Sequence, residues 1–175
     1  MQFKFETEYN LRSLTAMAKA LRKTVRKKRS RKSHILGWIL VAFSVMMLFI
    51  SAKTEFGFRQ TVTLLVAVAV AGTLVFEDRL NGYFARKNML KGTEKAVAVF
   101  DTQAKETFCS ETGVGKSDFY YKNIVAIAET KEYFVFLLSA NYAQVYDKST
   151  LCGGTADDFR QFITEKTGKT IVTID

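Results

Sequence analysis

The chain has 175 residues, 26 of them basic and 17 acidic, for a net charge of +9, with one histidine, two cysteines and no proline. A lone histidine, His34 beside an apolar run, argues against a His-rich metal site or a His-based triad. Cys109 and Cys152 lack C-x-x-C spacing and read as reduced thiols, and the absence of proline excludes a Pro-rich linker or a Pro-kinked span.

Residues 2–7 alternate, with Phe3 and Phe5 on one face and Lys4 and Glu6 on the other, which predicts a short strand. From Leu11 to Lys32, Leu11, Leu14, Ala18, Leu21 and Val25 follow three- and four-residue steps, so a helix is expected to run into the next segment, with Asn10 as its N-cap. Nine basic residues and no acid lie between Lys19 and Lys32; without them, 17 basic residues face 17 acidic ones. The high charge therefore belongs to one segment.

Two runs without a charged residue follow, 35–51 and 61–76, of seventeen and sixteen residues. A helix rises about 1.5 Å per residue, and a bilayer core takes roughly 17–25 residues. Extended back to Phe56, with Arg59 snorkelling, the second run also spans. The linker is short, which predicts a two-span hairpin. A pair of buried soluble helices would carry a polar stripe, and these runs offer only serine and threonine hydroxyls, which can bond back to helix carbonyls. The basic segment before the first span, supported by Arg86, Lys87 and Lys91 after the second, places both termini in the cytoplasm of a two-span cell-membrane protein. Arg26, Lys27, Lys28, Arg29, Arg31 and Lys32 are the expected contacts with anionic lipid head groups.

Residues 77–91 keep a helical pattern, with Gly92 as the expected C-cap. The period then changes to two. Strands are expected at 95–101, 105–110, 116–121, 124–129, 133–138 and 142–147, joined by short turns, as one antiparallel meander. Thr155 before Asp157 and Asp158 predicts a helix start, Phe159, Phe162 and Ile163 its apolar face, and Gly168 its end; 171–174 reads as a last strand or tail. The fold class is α+β: a two-helix transmembrane hairpin with a cytoplasmic antiparallel β-barrel of pleckstrin-homology (PH)-like form, capped by a C-terminal helix. The expected divisions are 1–33 (strand and basic helix), 34–76 (hairpin), 77–93 (helical extension) and 94–175 (PH-like domain).

Besides the opening strand and helix and the hairpin, the chain carries the basic-aromatic stretch Arg79-Leu80-Asn81-Gly82-Tyr83-Phe84-Ala85-Arg86-Lys87 and an I-x-x-I-x-E-T-x-x-Y pattern at Ile124-Val125-Ala126-Ile127-Ala128-Glu129-Thr130-Lys131-Glu132-Tyr133. In these features it resembles the YcxB-like membrane proteins of bacteria over nearly its whole length. Asp158-Phe159-Arg160-Gln161-Phe162 resembles the family's terminal helix, while Tyr146-Asp147-Lys148 stands where the family has a proline turn. The resemblance implies a PH-like module and no catalytic residue set.

Thr112-Gly113-Val114-Gly115-Lys116-Ser117 has the end of a phosphate-binding loop, but the first glycine is replaced by Ser110 and the next residues read as a strand, so a hairpin turn is expected. The basic run lacks aromatic residues for base stacking, so no nucleic acid is expected. No cofactor site is read. The expected function is a non-enzymatic membrane protein whose soluble module binds a protein, peptide or lipid head group. The alternative is an immunity protein or transporter-accessory subunit protecting against a toxin or antimicrobial peptide.

Overall fold

Alternation of Phe3 and Phe5 with charged residues produces strand β1 (Gln2–Glu8), whose phenylalanines are buried and whose charges are exposed. Asn10 then caps α1 (Leu11–Lys23), its side chain accepting from the amides of Arg12 and Ser13. The structure, a computed structural model, describes residues 2–51, 57–104 and 106–174.

The expected continuous helix over 11–32 is interrupted. The Thr24 hydroxyl donates to the Ala20 carbonyl at 2.5 Å, and the chain turns through residues 24–26 before α2 (Lys27–Ser51) begins. Polar side chains that bond to the backbone compete with the helical ladder in this way. α2 packs on α3 (Phe58–Val75), with Leu74 lying over Gly37, where a Cβ would meet its side chain at 2.8 Å. Both helices are long and apolar enough to cross a membrane, and almost none of either apolar stretch is buried by protein. The hydroxyls of Ser44, Thr63 and Thr73 donate to the carbonyls of Leu40, Arg59 and Val70 at 2.9, 2.9 and 2.7 Å. Residues 52–56 of the expected link lie outside the described residues.

Helix α4 (Glu77–Lys87) follows α3 after a bend at Phe76 and ends at Asn88, four residues short of the expected Gly92 cap. It lies along α1. A Cβ on Gly82 would sit 2.7 Å from the Thr15 hydroxyl and 2.9 Å from the Thr15 amide nitrogen, so only glycine permits this approach. Arg22 fastens the pair with a two-pronged bond to Asp78, 2.7 Å from Nε and 2.6 Å from Nη2.

The strands form two sheets rather than one meander. Sheet A has the order β1, β2 (Lys95–Asp101), β3 (Thr107–Thr112), β4 (Gly115–Tyr120), all antiparallel. Sheet B has the order β7 (Ala143–Asp147), β6 (Tyr133–Leu137), β5 (Ala126–Glu129), β8 (Ile171–Thr173). Neither sheet closes into a barrel. Residues 121–125 leave β4 through a 3-10 turn, and β8 takes the free edge of β5 in parallel register. On the other side, the segment after β7 runs along the outer edge of β1. Asp147 donates its amide to the Thr7 hydroxyl, Glu6 to the Thr150 hydroxyl, and Lys4 and Cys152 exchange backbone bonds at 2.9 Å.

The main core fills the space between the sheets. It joins Phe3, Phe5, Phe100 and Phe108 of sheet A to Ile127, Phe134, Phe136 and Tyr146 of sheet B. Helix α5 (Ala156–Thr167) drives Phe159, Phe162 and Ile163 into it. Thr155 and Asp158 form its capping box, and Gly168 ends it in the left-handed conformation, φ +64°. The opposite face of sheet B carries Ala128, Val135, Leu137 and Val145 under Ala20 and Leu21 of α1. Strand β6 is therefore buried on both faces, which accounts for its unbroken apolar sequence.

Candidate functional site

The basic residues singled out in the sequence divide into two sets. Lys27, Lys28, Arg29, Arg31 and Lys32 are exposed on the first turns of α2, just before its apolar stretch. Arg26 lies in the turn before them and folds back onto the sheet domain, donating from Nε to the Ala140 carbonyl at 2.6 Å and from Nη2 to Asn141 Oδ1 at 2.7 Å. His34 donates to Glu77 at 2.5 Å and ties α2 to α4 where their apolar neighbours begin.

Above that tie is a cavity of about 530 Å³ between α1, α4, the start of α2 and the β6–β7 turn. Arg22, Arg26 and Arg29 stand in its wall with Ser30, Ser33 and Glu77. Arg22 is neutralised by Asp78; among the described residues, no carboxylate pairs with Arg26 or Arg29. A second cavity of about 380 Å³ adjoins it, sharing Leu14, Met17, Ala85 and Asn141 as common wall, and enters the open end of the space between the sheets.

Strand register creates that inner chamber. Three rows cross the inward face of sheet A. The first is Phe3, Phe100, Phe108 and Phe119, which fill the core; the second is Phe5, Ala98, Ser110 and Ser117; the third is Thr7, Ala96, Thr112 and Gly115. Side-chain volume falls from the first row to the third, so the space empties toward α1 and α4. The Ser110 side chain lines the chamber, is 7% exposed, and its hydroxyl has no hydrogen-bond partner among the described residues. Gln144 faces it from β7, 4% exposed, its oxygen accepting from Tyr146 at 2.5 Å and its amide donating to the Tyr142 hydroxyl at 3.4 Å. Burial, then the neighbouring Tyr142, pushes the Tyr9 hydroxyl up to about 12, so it remains a neutral donor. No lining residue of this chamber is charged. The two cavities together offer cationic groups at the mouth and neutral hydrogen-bonding groups within.

Glu129 and Thr130, from the E-T-x-x-Y pattern, have a structural task. Thr130 closes the β5–β6 turn by accepting from the Tyr133 amide at 2.9 Å. Glu129 is buried and accepts from Lys148 and from Arg160, 2.6 Å from Nη2, which anchors α5 to sheet B. Burial pushes its carboxyl up, but the hydrogen bonds and charges of Arg160 and Lys148 outweigh this and hold it below the ordinary range. Lys148 and Arg160 also lie over the Phe134 ring, 4.8 and 5.8 Å from its centroid. Gly113 and Val114 form the β3–β4 hairpin turn, as expected in place of a phosphate loop. Among the described residues no group of three His, Cys, Asp or Glu side chains is placed to hold a metal ion.

Sequence reasoning did not find Arg22, Ser110, Asn141 or Gln144. Their convergence depends on strand register and on an ion pair between residues 56 apart. Comparison with protein-family models, curated proteins and solved structures gives no match.

Proposed function

We propose that this chain is a membrane-tethered, non-enzymatic binding module. Helices α2 and α3 span the cell membrane as a hairpin, both termini lie in the cytoplasm, and the sheet domain works at the lipid surface. One observation carries the reading: two apolar helices, exposed along their length, share a boundary at His34 and Glu77 with an exposed cationic collar. An Arg/Lys excess beside a span marks its cytoplasmic end, and each such residue near an anionic surface contributes about 1 kcal/mol of attraction. The outer face of α4 supports it, with Leu80, Tyr83 and Phe84 exposed beside Arg79 and Lys87, a composition suited to the bilayer interface.

The soluble module is PH-like in this reading, and the protein is a YcxB-like one. Supporting this are the order strand, helix, hairpin, helix, sheets and final helix, and the plug that α5 makes between two twisted sheets. The direct test is extraction of membranes from cells expressing the full chain. Alkaline carbonate should leave the chain in the membrane pellet, and detergent should release it. Release by carbonate alone contradicts the tether.

A further inference from the structure

We infer that the cleft between α1, α4 and the open end of the sheets binds the head group of an anionic phospholipid whose phosphodiester carries a small neutral polyol. The inference rests on the membrane-tethered reading and adds a ligand class and a site to it. The phosphate sits at the mouth, where Arg26 and Arg29 carry charge that no carboxylate among the described residues neutralises. Guanidinium groups suit phosphate oxygens because their N–H donors match them in charge and spacing. That mouth lies directly beyond the level at which the apolar part of α2 begins and α3 ends, fixed by the His34–Glu77 bond. A lipid phosphate reaches it without leaving the bilayer surface.

The inner chamber selects the substituent. Ser110, 7% exposed as a residue, presents a hydroxyl bonded to no other described residue, and Gln144, Tyr142 and Ser117 surround the same space. The Ser110 oxygen is open to the chamber, so a bound hydroxyl can hydrogen-bond to it. An ammonium substituent finds no carboxylate among the lining residues to pair with. Phe119 and Tyr142, stacked with centroids 6.3 Å apart, supply an apolar wall for the carbon face of a polyol. At about 380 Å³, the chamber holds a substituent of glycerol size with room to spare.

The test uses the full chain in neutral detergent, stripped of lipid, with binding read by native mass spectrometry. Phosphatidylglycerol should be retained about tenfold better than phosphatidic acid, which has the phosphate without the polyol, and than phosphatidylcholine. Arg29→Gln should weaken both anionic lipids about tenfold. Lys32→Gln removes the same charge from the collar outside the cleft and should change neither by more than about twofold. Ser110→Leu should bring phosphatidylglycerol down to phosphatidic acid and leave phosphatidic acid unchanged; Ser117→Leu, at a more exposed position, should do the same without threatening the fold. Free glycerol phosphate shares the chemistry and in tenfold excess should not displace the lipid. Equal binding of the two anionic lipids, equal effects of Arg29→Gln and Lys32→Gln, or displacement by glycerol phosphate overturns the inference. A chain that resists carbonate yet shows any of these fails in the cleft alone; a chain that carbonate releases fails in the tether.

Discussion

Truncating Phe159 to alanine probes the core that positions everything else. Phe159 is fully buried, and its ring lies 4.7 Å from Phe5, 5.1 Å from Phe100, 5.1 Å from Phe134 and 5.4 Å from Phe3. These neighbours come from β1, β2 and β6, so no single element can shift to refill the space. Phe→Ala in a core costs about 3–5 kcal/mol, and the rigid surroundings place this site at about 4–5 kcal/mol. Domains have a total stability of about 5–15 kcal/mol, so about a quarter or more of it would be lost. For a folded unit of this size, each kcal/mol lowers the melting temperature by about 3–5 °C, giving a drop of about 12–25 °C. Gln161 is exposed and bonds only to Glu165, so Gln161→Ala should stay within about 0.5 kcal/mol of the parent. The assay is hydrogen exchange of the β6 amides in the full chain in detergent, because Trp38 lies in α2 and would report on the hairpin. A loss below about 1 kcal/mol for Phe159→Ala would refute a core centred on α5.

Three further substitutions test the joints of the fold by thermal unfolding of the full chain. Gly153 has φ +94°, and a Cβ there would lie 1.8 Å from the Gln2 carbonyl oxygen, whereas Gly168 has φ +64° with nothing within 4 Å. Gly153→Ala should cost about 3 kcal/mol or more by displacing β1, and Gly168→Ala only about 1 kcal/mol; equal losses would contradict the close approach. Glu129→Gln leaves Lys148 and Arg160 without their shared carboxylate and should cost about 3 kcal/mol at pH 7. The folded Glu129 carboxyl titrates below its ordinary 4.5, so its contribution is present above that value and lost as pH falls through the lower folded value. The variant should therefore show a flatter loss of stability on acidification, measured from pH 7 to pH 3, and an unchanged slope would contradict the assignment.

What the sequence conveyed was local. The alternation around Phe3 and Phe5, the Asn10 and Thr155 caps and the Gly168 stop each involve neighbours within a few residues, and the structure places them as read. The break at residues 24–26 carries no glycine or proline, and a threonine bonding back to its own helix is a weak signal. Strand β6 looks the same in sequence whether one face or both are covered. The split into two sheets turns on β8 reaching the edge of β5, a pairing across more than forty residues that alternation cannot register. The cleft was hidden for the same reason. Ala98, Ser110 and Ser117 are unremarkable singly, and only their alignment in one row leaves space beside the cationic mouth.

In the proposed topology the sheet domain sits on the cytoplasmic side of a membrane spanned twice. With Cys109 and Cys152 replaced by serine, single cysteines placed by Phe58→Cys and Lys169→Cys report opposite sides, since both positions are exposed and one begins α3 while the other follows α5. An impermeant thiol reagent on intact cells should label position 58 at once and position 169 only after the cells are permeabilised. Labelling of position 169 in intact cells with position 58 protected would invert the topology, and equal labelling of both before and after permeabilisation would remove the membrane from the account.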